Sequence, residues 1–106
     1  MIVPLNHVLL LSGVLFTLGM FCTLARRNLI MMLLGIEIML NAAAIAFVGA
    51  SLQWRQMEGQ AMVIFILAIA ATEVSVGLAA IIAIYKRSGS LDPDIDAAFV
   101  DEAGRR

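Results

Sequence analysis

The chain has 106 residues, 62% of them apolar and 14% charged, with a formal net charge of −1. That allows one domain at most and is far too apolar for an ordinary soluble one, in which about half the residues are apolar and about a quarter charged. The seven Lys and Arg are dispersed, so there is no basic surface for nucleic acid, and Cys22 and His7 are each the only residue of their kind, too few for a disulfide, a zinc site or an iron–sulfur cluster.

The placement of charge divides the chain. No charged side chain occurs from Met1 to Ala25, one (Glu37) from Asn28 to Trp54, and one (Glu73) from Gly59 to Tyr85. Each segment reaches the roughly 20 residues that a helix needs to cross about 30 Å of hydrocarbon. The pattern predicts an all-α, polytopic membrane protein with three transmembrane helices near 3–25, 29–50 and 61–85. The first is not expected to be a cleaved signal peptide. No Lys or Arg precedes it, and it exceeds an h-region of about 7–15 residues.

Pro4 suits the first turn of the first helix, which ends at Arg26-Arg27-Asn28. So short a link makes helices one and two antiparallel neighbours. The second link, Ser51 to Gln60, is polar and carries Trp54, an indole suited to the headgroup belt. Tyr85-Lys86-Arg87 closes the third helix. Residues 1–87 thus read as a three-helix transmembrane domain and 88–106 as a polar, acidic, solvated tail, in which Asp92-Pro93 can start a short helix through Phe99. Arg26, Arg27, Lys86 and Arg87 lie on one side and only Arg55 on the other. The positive-inside rule therefore predicts a cytoplasmic C-terminus and an N-terminus outside.

Glu37 lies nine residues past Asn28, about 13 Å along a helix, and Glu73 twelve residues before Tyr85, about 18 Å from the same side. An acid at such depth costs on the order of 2.5–3.5 kcal/mol and normally faces a bundle interior or wet cavity, marking an ion or proton path. Asn41 is four residues after Glu37 and can share hydrogen bonds with it, with Ala44 continuing the stripe; Ala70, Gly77 and Ala80 flank Glu73 and admit a close neighbour. A carboxyl in such a setting can alternate between protonated and ionised forms, as a proton relay requires. The alternative is a pair of protonated acids that only make interhelical hydrogen bonds.

Elsewhere the residues read as structure. Ala42-Ala46-Ala50 and Ala71-Ser75-Ala79-Ala83 are packing seams, Met31, Met32 and Met39 adaptable packing, Cys22 a small buried residue, and His7 an interfacial polar group. Arg26 and Arg27 are topology signals and lipid-phosphate contacts, with a further role near a proton entrance left open.

Three stretches carry a resemblance: Arg26-Arg27-Asn28-Leu29-Ile30, Leu34-Gly35-Ile36-Glu37-Ile38-Met39-Leu40-Asn41-Ala42, and Ala71-Thr72-Glu73-Val74-Ser75-Val76-Gly77-Leu78-Ala79. Together with the length and three spans they resemble the subunit K family of NADH-quinone oxidoreductase (respiratory complex I), the mitochondrial chain 4L, over residues 1 to about 87; the tail beyond Arg87 adds nothing to the likeness. The resemblance implies a non-redox membrane-arm subunit of a proton-translocating enzyme in the cell inner membrane. It would lie between the quinone-proximal subunits and an antiporter-like subunit, in contact with lipid. Glu37 and Glu73 would lie on the polar axis that couples quinone reduction to proton translocation, supported by Asn41, with Arg26 and Arg27 near its cytoplasmic side. NADH, flavin, iron–sulfur clusters and quinone would be held by other subunits and no cofactor by this chain, in keeping with a sequence that has no GxGxxG fingerprint or cysteine cluster.

Two other classes share features with the chain. A small subunit of a multisubunit cation/proton antiporter has three helices but not the paired glutamates. A small homo-oligomeric proton-coupled multidrug transporter has one membrane glutamate on four spans, against two on three here.

Overall fold

In a computed structural model, which describes residues 3–106, the chain forms four helices in the order α1 (Leu5–Ala25), α2 (Leu29–Trp54), α3 (Glu58–Ser88) and α4 (Pro93–Gly104). The first two residues of the expected transmembrane domain lie outside the described residues. Three helices, α1 to α3, are long and apolar enough to cross a membrane. At 1.5 Å per residue they run about 31, 39 and 46 Å, so the last two overhang a hydrocarbon layer of about 30 Å.

Local chemistry sets the helix ends. Pro4 stands at the N-cap of α1 rather than inside it, its carbonyl taking the first hydrogen bonds from His7 and Val8. Asn28 caps α2, its Oδ1 accepting from the backbone N–H of Ile30 at 3.0 Å and of Met31 at 3.4 Å. The second link is shorter than the sequence suggests. Leu52, Gln53 and Trp54 stay helical because none of them breaks a helix, and α2 closes only when Arg55 turns left-handed at φ 51°. The N–H of Gln56 then returns to Ser51 O at 3.0 Å and that of Arg55 to Leu52 O at 3.4 Å, a Schellman closure with arginine where glycine is usual. Gly89, at φ 72°, ends α3 with a single bond to Tyr85 O at 2.7 Å. Asp92 caps α4 through the N–H of Asp94 at 2.9 Å, with Pro93 in its first turn. That helix continues five residues past Phe99 to Gly104, since no breaker intervenes, and Asp101–Arg105 and Glu102–Arg106 pair along it.

α2 is the middle helix. Gly35, Ala42 and Gly49, seven residues apart, are buried against α1. A side-chain carbon at Gly19 of α1 would lie 2.7 Å from the Gly35 carbonyl oxygen, so the two backbones touch there with no side chain between them, and one at Gly49 would meet the Val8 side chain. Ser12, buried in the seam, donates to Ala42 O at 2.6 Å. Thr23 donates to Gly19 O at 2.9 Å and to Met32 O at 3.4 Å, and Cys22, half-buried, donates its thiol to Met31 O at 3.3 Å. The α1 seam therefore uses Ala42 with two glycines; Ala46 and Ala50 are only partly covered.

α3 packs on nearly the opposite side. Leu33 and Ser51 sit two residues from Gly35 and Gly49, about 200° around α2. They meet Gly77 and Gly59 of α3 respectively, and Phe47 O also faces Gly59. The seam Ala71-Ser75-Ala79-Ala83 is exposed along its length within this chain, because Gly77 and Ile81 are the residues turned toward α2. Large apolar side chains such as Leu10, Phe21, Ile64 and Val76 face outward, as they must where the surrounding solvent is lipid or another helix.

Candidate functional site: two glutamates at one level

The register of α3 on α2 positions the two acids. Going from Leu33 to Ser51 advances eighteen residues along α2, and going from Gly77 to Gly59 retreats the same eighteen along α3, so the antiparallel pair keeps one offset throughout. Four residues on from Leu33 is Glu37, and four back from Gly77 is Glu73. Both therefore stand one turn, about 6 Å, from the Leu33–Gly77 contact and at the same height.

Their surroundings differ. Glu37 is half-buried, on the α2 face that carries Leu33 toward α3, and its Oε1 is buried without a hydrogen-bond partner. Glu73 is exposed to a groove of about 620 Å³ lined by Leu33 and Ile36 of α2 and by Ala68, Ile69, Thr72, Val76 and Gly77 of α3. Thr72 Oγ1 donates to Ala68 O at 2.9 Å and Ser75 Oγ to Ala71 O at 2.9 Å, which occupies their protons and leaves their lone pairs as acceptors. Thr72 is the one polar neighbour of Glu73 on the groove wall that sequence spacing passed over; its position directly before the acid was the available signal.

Asn41 reaches Glu37, but not its carboxyl: Nδ2 donates to the Glu37 backbone carbonyl at 2.9 Å. The geometry of i, i+4 allows either acceptor, and the carbonyl is the nearer fixed one. Asn41 also lines a second groove, about 440 Å³, with Ala44, Ile45 and Val48 of α2 and Val63 and Leu67 of α3. Ala70 and Gly77 are half-buried beside Glu73, whereas Ala80 is exposed.

Arg26 and Arg27 are exposed at the α1–α2 turn, two to three turns from the glutamates, and are not brought to them. Arg27 lies 3.8 Å from Asp94 of α4, both side chains well exposed, a contact worth little by itself. Arg87 makes the stronger pair, with Asp96 at 2.6 Å. Among the described residues no group of three or more His, Cys, Asp or Glu could hold a metal ion.

The sequence profile of the family described as NADH-ubiquinone/plastoquinone oxidoreductase chain 4L matches residues 7–96, which carries the likeness past Arg87 as far as Asp96. The chain is 68% identical over 93 residues to NADH-quinone oxidoreductase subunit K 2 of Syntrophobacter fumaroxidans, covering 88% of this chain and 82% of that protein. It is 55% identical over 92 residues to NADH-quinone oxidoreductase subunit K of Nitrosospira multiformis (87% and 90%) and 47% identical over 96 residues to the protein of that name in Azotobacter vinelandii (91% and 92%).

Proposed function

We infer the function from the premise that this chain belongs to the NADH-ubiquinone/plastoquinone oxidoreductase chain 4L family, to which subunit K of the bacterial enzymes corresponds. It is a multi-pass membrane subunit of NADH-quinone oxidoreductase, a proton-translocating enzyme, and works among the other subunits of that complex without doing redox chemistry itself. In the finer reading, residues 1–87 span the bacterial inner membrane with the first loop and residues 88–106 in the cytoplasm. The chain lies between the quinone-proximal subunits and an antiporter-like subunit, and NADH, flavin, iron–sulfur clusters and quinone are bound elsewhere in the assembly. Glu37 and Glu73 carry protons, or the charge displacement that drives them, between quinone reduction and translocation.

The observation that carries this reading is the level pairing of Glu37 and Glu73, one with a buried oxygen lacking any partner and the other facing a groove. A carboxyl open to hydrocarbon at that depth is costly, so in the membrane the groove is closed by protein or by water held between subunits. A buried acceptor without a donor costs about 1–3 kcal/mol until a proton, a water or a neighbouring donor satisfies it. Two carboxyls at one height on adjacent helices, one of them with such an acceptor, let a proton or a water-borne charge pass sideways across the membrane arm. The exposed Thr72 and Ser75 acceptors extend that polar strip along α3. Arg26 and Arg27 act at the cytoplasmic rim, where their charge orients the chain and meets lipid phosphate.

The test is to replace each acid by glutamine, which keeps the size and hydrogen bonding of a protonated glutamate but cannot ionise. Glu37→Gln and Glu73→Gln should each abolish quinone-coupled proton translocation in assembled complex while electron transfer from NADH to an artificial acceptor persists. Normal pumping by complexes carrying both substitutions would overturn the proton-path reading and leave the hydrogen-bonding alternative.

A further inference from the structure

Two helices pack on α2, and they are held to it differently. Side-chain hydrogen bonds from Ser12, Cys22 and Thr23 tie α1 to the α2 backbone, whereas among the described residues none joins α2 to α3 between the two membrane faces. Along the span α3 meets α2 through contacts at Gly59 and Gly77, and the turn at residues 55–57 joins the two helices only at the end away from Arg26 and Arg27. Yet the height of α3 decides whether Glu73 is level with Glu37.

At the end that bears Arg26 and Arg27, the chain after α3 returns to α2. The carbonyl of Leu91 accepts from the Leu29 N–H at 2.9 Å. With the Asn28 side chain serving Ile30 and Met31, that bond satisfies the first N–H groups of α2, which have no partner inside the helix. Arg87, in the last turn of α3, grips Asp96 of α4 with Nε on Oδ1 at 3.1 Å and one terminal nitrogen on Oδ1 at 2.7 Å and Oδ2 at 2.6 Å. Asp96 is only 15% exposed and Arg87 47%, so the pair is partly withdrawn from water. The residues between are not slack. Ser88 Oγ donates to Ser90 O at 3.3 Å, Asp92 N–H to Ser90 Oγ at 3.1 Å, and Asp94 N–H to Asp92 Oδ1 at 2.9 Å.

We propose that residues 89–96 form a strap that, together with the turn at residues 55–57 at the opposite end, holds α3 at a fixed height on α2, with Arg87 and Asp96 as positioning residues for the level pairing of Glu37 and Glu73. One end is covalently the C-terminus of α3, the other is bonded to the first residue of α2, and the Arg87–Asp96 pair keeps the fold-back closed. A shift of α3 by one turn, about 5.4 Å, would stretch or break both attachments. The strap rests on the proton-path reading only for its consequence in pumping; the height itself can be measured apart from it.

The measurement uses native complex in membranes, in a Cys22→Ser background, with Leu33→Cys and Gly77→Cys as a register gauge. In the intact strap the two thiols face each other and oxidise to a disulfide. Asp96→Asn or Arg87→Gln should lower the yield of that disulfide about fivefold, the scale expected for a charged pair at the edge of water. The exchanged pair, Arg87→Asp with Asp96→Arg, should restore most of it. In complexes without the gauge cysteines the single variants should lose proton pumping in parallel, with electron transfer from NADH to an artificial acceptor unchanged, and the exchange should recover it. An unchanged disulfide yield in both single variants overturns the strap, whatever pumping does. A yield that falls and is rescued, while pumping stays normal, supports the strap and counts against the proton-path reading instead.

Discussion

The side-chain amide of Asn41 donates to the backbone carbonyl of Glu37 at 2.9 Å, one turn back along α2, while the Glu37 carboxyl keeps a buried oxygen with no partner. The two side chains thus lie on neighbouring parts of one surface without being bonded to each other. Asn41 borders a groove of about 440 Å³ lined by α2, α3 and Val8 of α1, which gives a longer side chain at that position room to move.

Moving the acid exploits this arrangement. Glu37→Ala combined with Asn41→Glu puts the carboxyl about 6 Å along the same surface, a gap that one water can bridge, and should recover part of the proton pumping lost in Glu37→Ala. Glu37→Ala with Ile38→Glu points the carboxyl about 100° away and should recover none. Proton uptake by inverted vesicles, compared at equal amounts of assembled complex, distinguishes the two; equal recovery at both positions would remove any meaning from the Glu37 site.

The glycine seam makes a separate prediction about stability. Gly19→Ala and Gly35→Ala each drive a methyl group into the opposing backbone and should destabilise the α1–α2 pair by about 1–3 kcal/mol. Ser12→Ala, which removes the bond to Ala42 O, should cost about 0.6–1.7 kcal/mol, the range for hydrogen bonds between membrane helices. Gly13 has nothing within 4 Å of its added carbon, so Gly13→Ala should be neutral or stabilise by up to about 1 kcal/mol. Loss of helical circular dichroism as the purified chain is titrated from mild detergent into a denaturing one gives the ranking.

Orientation can be read with impermeant thiol reagents in a Cys22→Ser background, a substitution that keeps a hydrogen-bond donor for Met31 O. A cysteine at Asp101, on the exposed part of α4, should react only from the cytoplasmic face, and one at Gln56, in the α2–α3 turn, only from outside. The opposite pattern would reverse the topology inferred from the arginine bias.

The sequence by itself determined that three helices cross the membrane. Hydrocarbon offers the backbone no partners, so an apolar run of sufficient length must satisfy its own N–H and C=O groups as a helix. The same constraint made Glu37 and Glu73 conspicuous, because a charge inside such a run stands out against everything around it. One end marked by local chemistry was legible too, at Asp92-Pro93 before α4. Which surface meets which was decided only by the tertiary structure. α1 and α2 carry only scattered polar side chains, among them Ser12, Thr23, Glu37 and Asn41, so no continuous polar stripe names the inner face, and the choice falls to shape. Gly35, Ala42 and Gly49 met α1 because Gly19, Ser12 and Val8 stood opposite at matching heights, while the equally small Ala71, Ser75, Ala79 and Ala83 found no such counterpart in the chain and stayed outside. The level pairing of the two glutamates and the return of Leu91 to α2 belong to the same class. Each depends on the relative height of two segments far apart in sequence, a quantity that neither segment encodes alone.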